Sequence, residues 1–495
     1  MPEGTATPLR AATITEFSGR VSTPTYDRSR IKTGVVHFGV GGFHRAHQAM
    51  YLDRLLERGL GHEWGICGVG VLPGDRRMRD VLRAQDGLYT LSAVAPDGAW
   101  TTRVIGSIIE YRYAPDDPEV VVERLADPAT RIVSLTITEG GYRIAAATGE
   151  FDTDDPAIRA DLAGNSPPAT VFGHLTEALA RRRSRGIAPF TVLSCDNIEG
   201  NGNVARRAFS AFADLRDPEL GSWIWEHVRF PNSMVDRITP GTPPEASGEI
   251  ERRYGLIDRW PVVTEPFAQW VLEDSFELGR PAFEEAGVQV VADVTPYELM
   301  KLRLLNASHQ ALCYFGYLSG YRLVHEAARD PVFRRFLSRY MDAEATPTLR
   351  AVPGVDLDAY KRTLLDRFAN PAIGDTIARL CAESSDRIPK WLLPVVRAQL
   401  AADGEIDCAA AVVASWARYA EGVDEQGEPI RIVDRLADRL VPLARRQREQ
   451  PTAFLGERSL FGDLIDHPRF VTAYLAALDT LHTRGAHATV EALAR

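Results

Sequence analysis

The sequence predicts an α/β protein, with a mostly parallel sheet in its first part and helices in its last. Three observations predict this. An apolar run at 35–40, VVHFGV, leads through a Gly-rich turn into a helical pattern and then into a second apolar run, WGICGVGV at 64–71. Later strand-like runs end in polar or Gly-rich turns, which suits a parallel sheet whose ligand edge lies at the strand C-termini. From about residue 296 the apolar residues recur with helical periodicity.

The chain has 495 residues. Domains usually run to about 100–200 residues, so two large or three small ones are expected. The composition is 45% hydrophobic and 25% charged, with a net charge of −10 from 57 basic and 67 acidic residues. A nucleic-acid-binding protein would more often be basic, so no nucleic-acid partner is expected. The tight cluster RRRSR at 181–185 reads as a solvated helix end. No segment approaches the roughly 18 uninterrupted apolar residues of a membrane helix. The start, MPEGTATPLRAATITEF, carries no apolar stretch behind a basic cap. A cytoplasmic protein without a membrane partner is expected. The cysteines Cys67, Cys195, Cys313, Cys381 and Cys408 show no CxxC spacing and read as free thiols in a reducing compartment.

In chain order, VVHFGV is a short buried strand, and HRAHQAMYLDRLLERG at 44–59 is a helix ended by Gly59. WGICGVGV is the second strand, which completes the opening of a nucleotide-binding α/β unit. YTLSAV (89–94), RIVSLTIT (131–138) and FTVLSC (190–195) are further strands. PNSMVDRITP and QVVADVTP are shorter extended pieces, and TPGTPPEASGE at 239–249 is a surface loop. Beyond them, PVFRRFLSRYMDAEATPTL, DAYKRTLLDRFAN, KWLLPVVRAQLAAD and CAAAVVASWARYAEG are helical. The change of pattern places a domain boundary near residue 290.

Gly39-Val40-Gly41-Gly42-Phe43 follows a strand and opens a helix. Gly39 permits the tight turn, and Gly41 lets backbone N–H groups approach a pyrophosphate. His44 holds the third fingerprint position, so the GxGxxG pattern is incomplete; it reads as a residue near the phosphates or as a packed histidine. An ordinary Gly-rich turn is the competing reading. The second strand ends in GVGVLPGD, where Asp75 is the candidate for the adenosine ribose hydroxyls and so for NAD. Arg76 and Arg77 follow at once and leave NADP possible. His44 and His47, three apart, lack the further ligands a metal site requires.

The segment Lys301–His309, KLRLLNASH, sets a lysine, an asparagine and a histidine in a mostly apolar helix. At about 100° per residue, His309 lies near 80° and Asn306 near 140° from Lys301, so the three share one side with Leu302 and Leu305. Arg303 falls outside that sector. A solvent-facing lysine is the bland alternative. A lysine in an apolar pocket has its pKa lowered and can act as general base on an alcohol. Asn306 can hold the developing oxygen, as can Asn197 from the sheet edge, while His309 can orient a hydroxyl. With a nicotinamide this is a metal-free alcohol dehydrogenase site.

The motifs GVGGFHRAHQA, TITEGGY, SCDNIEGNG, FPNSMVDRITP, TEPFAQWVLED and KLRLLNASH span residues 34 to 320, and NPAIGD, SSDRIPK and SLFGDL follow. Together they resemble the polyol-specific long-chain dehydrogenase/reductase family. The resemblance implies an N-terminal Rossmann-type domain with insertions, residues 1–290, and a mainly α-helical substrate-binding and catalytic domain, residues 291–495. It implies Lys301 as general base, with Asn306, His309 and Asn197 catalytic. Glu298 is then linked to proton exit, and Asp236 is a polyol or cofactor-side contact. Arg379 and Arg387 bind substrate hydroxyls; relatives often have lysine at the second of these positions. Gly39, Gly41, Gly42, Phe43, His44, Asp75 and Glu139 form the implied cofactor set.

The implied reaction is hydride transfer at C2 between D-mannitol and D-fructose, with NAD as cofactor. Reduction of fructuronate or tagaturonate, or oxidation of D-arabinitol, is the alternative within the family. The expected partner is a small-molecule polyol or ketose, and the expected state is a monomer or weak oligomer. A non-catalytic nucleotide sensor on the same scaffold is the competing class.

Overall fold

The computed structural model describes residues 6–144 and 150–495. The described residues divide into two compact units, 6–144 with 150–294, and 295–495.

Five parallel strands form the central sheet of the first unit: β1 (Thr33–Phe38), β2 (Gly65–Gly70), β3 (Ile108–Tyr113), β4 (Ile132–Leu135) and β5 (Thr191–Ser194). Their order in space is β3-β2-β1-β4-β5, and every neighbouring pair is parallel. The chain therefore starts mid-sheet, builds outward to β3, then returns to the other side of β1. In such sheets the point where the order reverses, between β1 and β4, opens a ligand crevice at the strand C-termini. β1 and β2 are buried along their whole length because both faces are covered. Val36, Phe38 and Val133 pack on one face with Leu175, Phe209 and Phe212. Val35, Ile66 and Ile132 pack on the other with Ala49, Leu52 and Trp270.

Several expectations are corrected here. The strand Tyr89–Val94 is not in the central sheet. It sits between Val262–Thr264 and Trp100–Ile105 in a sheet of three. The strands Trp100–Ile105 and β3 escaped the sequence because Thr, Arg and Glu interrupt their apolar residues; β3 is an edge strand, half-buried along most of its length. The helix expected at 44–59 is two helices, α1 (Gly42–Ala46) and α2 (Gln48–Glu57), broken where His47 leaves helical geometry at φ −120°, ψ −94°. Nor is the arginine cluster wholly a solvated end. Arg182 is buried and its guanidinium donates to the carbonyls of Leu125, Asp127, Thr130 and Ala188. Arg185 pairs with Glu123 on the surface. The loop at 239–249 gives way to a helix already at Ala246–Tyr254. The two extended pieces are strands, Ser233–Asp236 and Gln289–Val291, flanking Gln269–Glu273.

The second unit is helical. Its centre is a continuous rod that changes register: α3 (Thr295–Met300), a π-helical turn (Lys301–Asn306), and α4 (Ala307–Leu318). All of α4 except Tyr317 is buried, packed against the helices Ile377–Cys381 and Asp407–Ala420. All five cysteines are buried free thiols. No helix among the described residues is long and apolar enough to cross a membrane.

Candidate functional site

In the first unit the candidate residues lie at or just past strand ends: residues 39–43 after β1, Asp75 after β2, Glu139 after β4, Asn197 after β5, and Asp236 at the end of a strand in another sheet. Gly39 follows β1 with φ +92°, and a Cβ there would lie 2.0 Å from the Thr136 carbonyl just past β4, so only glycine fits. The Thr136 hydroxyl donates to the Gly39 carbonyl at 2.7 Å and ties the two strand ends together. At Gly41 an added Cβ would meet nothing closer than 3.9 Å. The turn is thus tight on its inner side and open on its outer side, the shape a phosphate needs to approach backbone. Gly42 and Phe43 are half-buried.

His44 points inward. It is 1% exposed and stacks on His37 with ring centroids 3.4 Å apart. Burial, with His37 beside it, holds the His44 ring well below its ordinary pKa, and burial takes His37 down to about 3. His44 therefore offers a phosphate no charge and supports the turn by packing. Asp75 lies beyond β2, where its carboxylate accepts the Val71 and Leu72 N–H groups at 3.0 and 2.9 Å. It is fixed at the end of the second strand, where an acidic residue meets a ribose in this class of sheet.

Asn197 follows β5 and is half-buried. Its neighbour Asp196, which sequence reasoning missed as a functional group, organises the surrounding turn. One Asp196 oxygen accepts from the Ile137 N–H and the Tyr142 hydroxyl, the other from the Thr138 N–H. Thr138 is held at φ +67°, a conformation a β-branched residue rarely adopts. Glu139 comes next, partly exposed. Burial pushes the Asp196 carboxyl up to about 7, against the pull of the Tyr142 hydroxyl, and the Glu139 charge adds to the rise. Asp236 is buried at the end of Ser233–Asp236.

In the second unit the π turn changes the expected geometry. An α-helical wheel sets Lys301 and Asn306 about 140° apart. In the π register bonds run from i to i+5, as from the Ala307 N–H to the Leu302 carbonyl, so Lys301 and Asn306 stack on one side. His309 lies three residues on, in α4. The three are 5%, 5% and 8% exposed, and Glu298 is buried in α3. The Asn306 Oδ1 is buried with no hydrogen-bond partner among the described residues, an acceptor left over for a ligand.

His309 packs against Phe368, ring centroids 4.2 Å apart. Burial holds His309 well below its ordinary pKa, reinforced by the positive charges of Arg379, Arg367, Lys301 and Arg387. The imidazole is thereby favoured in its neutral form, with basic side chains nearby. Arg379 is clamped by Asp375 in a two-pronged pair at 2.6 and 2.5 Å. Arg387 donates to the carbonyls of Arg379 and Leu380, and its Nε is buried without a partner among the described residues. Arg367 and Phe368 were read only as part of a helix; the signal lay in their place just before NPAIGD. Among the described residues no group of three or more His, Cys, Asp or Glu is arranged to hold a metal ion.

The first unit is a Rossmann-type α/β fold, and the second is a helical unit built around a buried lysine–asparagine–histidine face. Two family models match: the mannitol dehydrogenase Rossmann domain over residues 33–285 and the mannitol dehydrogenase C-terminal domain over 293–482. The chain belongs to the mannitol dehydrogenase family. It is 48% identical over 474 residues to a mannitol 2-dehydrogenase of Phaeosphaeria nodorum, covering 95% of this chain and 83% of that one. It is 45% identical over 472 residues to one of Aspergillus fumigatus, covering 94% of each. Among solved structures, a Pseudomonas fluorescens mannitol 2-dehydrogenase in ternary complex with NAD and D-mannitol matches with a TM-score of 0.95 at 46% identity, covering 98% of this chain and 99% of that one. A D-sorbitol dehydrogenase in substrate-free form matches with a TM-score of 0.83 at 40% identity, covering 98% and 100%.

Proposed function

We propose that this protein is an NAD-dependent, metal-independent polyol dehydrogenase that interconverts D-mannitol and D-fructose at C2, with Lys301 as general base. One observation carries the reading: a buried lysine, an asparagine with an unpartnered acceptor and a neutral histidine share one helix face. The likeness to a protein solved with NAD and D-mannitol supports the choice of cofactor and substrate.

Gly39, Gly41, Gly42 and Phe43 would hold the cofactor pyrophosphate, Asp75 the adenosine ribose, and Glu139 the nicotinamide side. The open outer side of the glycine turn and the fixed carboxylate at the end of β2 fit that group. When bound, the nicotinamide supplies hydride acceptance and return. The protein's own residues handle the proton and the oxygen. The Lys301 amine takes the C2 hydroxyl proton as the alcohol is oxidised and returns it on reduction. The side-chain N–H groups of Asn306 and Asn197 donate to the oxygen as it gains charge, and the unpartnered Asn306 Oδ1 accepts from a neighbouring substrate hydroxyl. His309, neutral, aligns a neighbouring hydroxyl without repelling the guanidinium groups of Arg379 and Arg387. Arg379, with its charge balanced by Asp375, and Asp236 and Arg387 hold further hydroxyls. Glu298 passes the proton on toward solvent.

A second reading has one observation in its favour. Arg387 carries an unpartnered buried Nε and no carboxylate partner among the described residues, a feature that suits an acidic sugar. A substrate panel decides between them. D-Fructose and fructuronate are compared under NADH oxidation, D-mannitol and D-arabinitol under NAD reduction, each repeated with the 2′-phosphorylated cofactor and in a strong chelator. The proposal expects higher kcat/KM for D-fructose and D-mannitol, preference for NAD, and no loss in chelator. Higher kcat/KM for fructuronate would replace it with the second reading.

A further inference from the structure

The Lys301–Asn306 turn is not the only π-helical turn in the second unit. Another, Tyr340–Ala345, packs against it. Such turns are rare and occur mostly as single insertions in α-helices, frequently at functional sites. Two in contact call for a cause, because relaxation of the first to the α register would turn Lys301 away from Asn306.

The contacts supply one. The buried Tyr340 hydroxyl donates to the Arg303 carbonyl at 3.1 Å, inside the first turn. The Arg303 guanidinium donates to the Thr348 carbonyl at 2.8 Å, and the Thr348 hydroxyl donates to the Ala345 carbonyl at 2.6 Å. The two turns are thus joined directly by the Tyr340 bond and indirectly through Thr348, which lies in the short helix Thr346–Thr348 just past the second turn. The second is itself anchored. Glu344 accepts the Cys408 and Ala409 N–H groups at 2.6 and 2.8 Å, at the start of the helix Asp407–Ala420. Gln399 donates to the carbonyls of Ala343 and Glu344.

We propose that Tyr340 and Arg303 are positioning residues that hold the Lys301–Asn306 turn in its π register and so aim the lysine amine at the oxygen that Asn306 holds. The proposal rests on the reading of Lys301 as general base. Neither residue is assigned to substrate, cofactor or proton transfer; each acts on the chemistry through Lys301.

The test measures kcat and KM for D-mannitol, NADH binding and Tm for Tyr340→Phe, Arg303→Met and Arg303→Lys, with Lys301→Ala alongside. Tyr340→Phe and Arg303→Met are expected to lower kcat on the order of ten- to a hundredfold, the scale of a small misplacement of a reacting group. KM and NADH binding should stay near wild type. Arg303→Lys, which keeps a donor for the Thr348 carbonyl, should recover part of the loss. A merely structural role would lower Tm and leave kcat of the folded enzyme unchanged. Wild-type kcat in Tyr340→Phe and Arg303→Met, with Lys301→Ala inactive, overturns the proposal and leaves the base reading standing. Wild-type turnover in Lys301→Ala overturns the base reading, and this proposal with it. Should Tyr340→Phe not fold, the Arg303 pair decides.

Discussion

Asp196 stands one residue before Asn197 and holds the turn that carries Thr138 and Glu139. Its carboxyl is raised in the folded protein from 3.8 to about 7. A raised acid binds more protons folded than unfolded between those values. Its contribution to stability is therefore full below pH 3.8, falls as pH rises, and is flat above about 7. Urea unfolding of wild type and Asp196→Asn across this range checks the sign. The wild-type-minus-variant difference in stability should shrink from pH 4 to pH 7 and then level; a difference that grows toward neutral pH would contradict it. The sequence shows such a residue only as one more aspartate in SCDN. Lys301, Asn306 and His309 were legible because charge and amide stand out among leucines. Asp196 was not, because its partners Ile137, Thr138 and Tyr142 lie more than fifty residues away. The inward turn of His44, beneath its stack on His37, was equally beyond local reading.

Elements were legible where burial makes a continuous signal. β1, β2 and β5 show as apolar runs because both faces of the sheet are covered. β3 did not, since it is only half-buried along most of its length and so tolerates Glu110 and Arg112, whereas β5 is buried throughout. The α-helical wheel found the right face of KLRLLNASH but the wrong angle, because a π turn is set by contacts from Tyr340 and Arg303 rather than by local composition. The glycine turn gives a sharp prediction at this scale. Gly39→Ala places a Cβ on the Thr136 carbonyl and an L-residue at φ +92°. The backbone conformation alone costs about 1–2 kcal/mol, and moving Thr136 would pull β1 from β4. Thermal melting should show a lowered Tm, and titration should show weakened NADH binding in the folded fraction. Unchanged melting and binding would mean that the turn is not held as described.

At the scale of the whole molecule the family assignment rests on both units, residues 33–285 and 293–482. The proposed labour is divided between them. The residues assigned to the cofactor all precede Thr295, and those assigned to the proton, Lys301 and Glu298, follow it. Hydride carriage and proton removal should therefore separate cleanly on mutation. Lys301→Ala, assayed for NADH binding and for D-fructose reduction near neutral pH, tests this most directly. The account predicts NADH binding at wild-type strength and a kcat lower by on the order of a hundred- to ten-thousandfold, the usual worth of a general base. Turnover at the wild-type rate would contradict it.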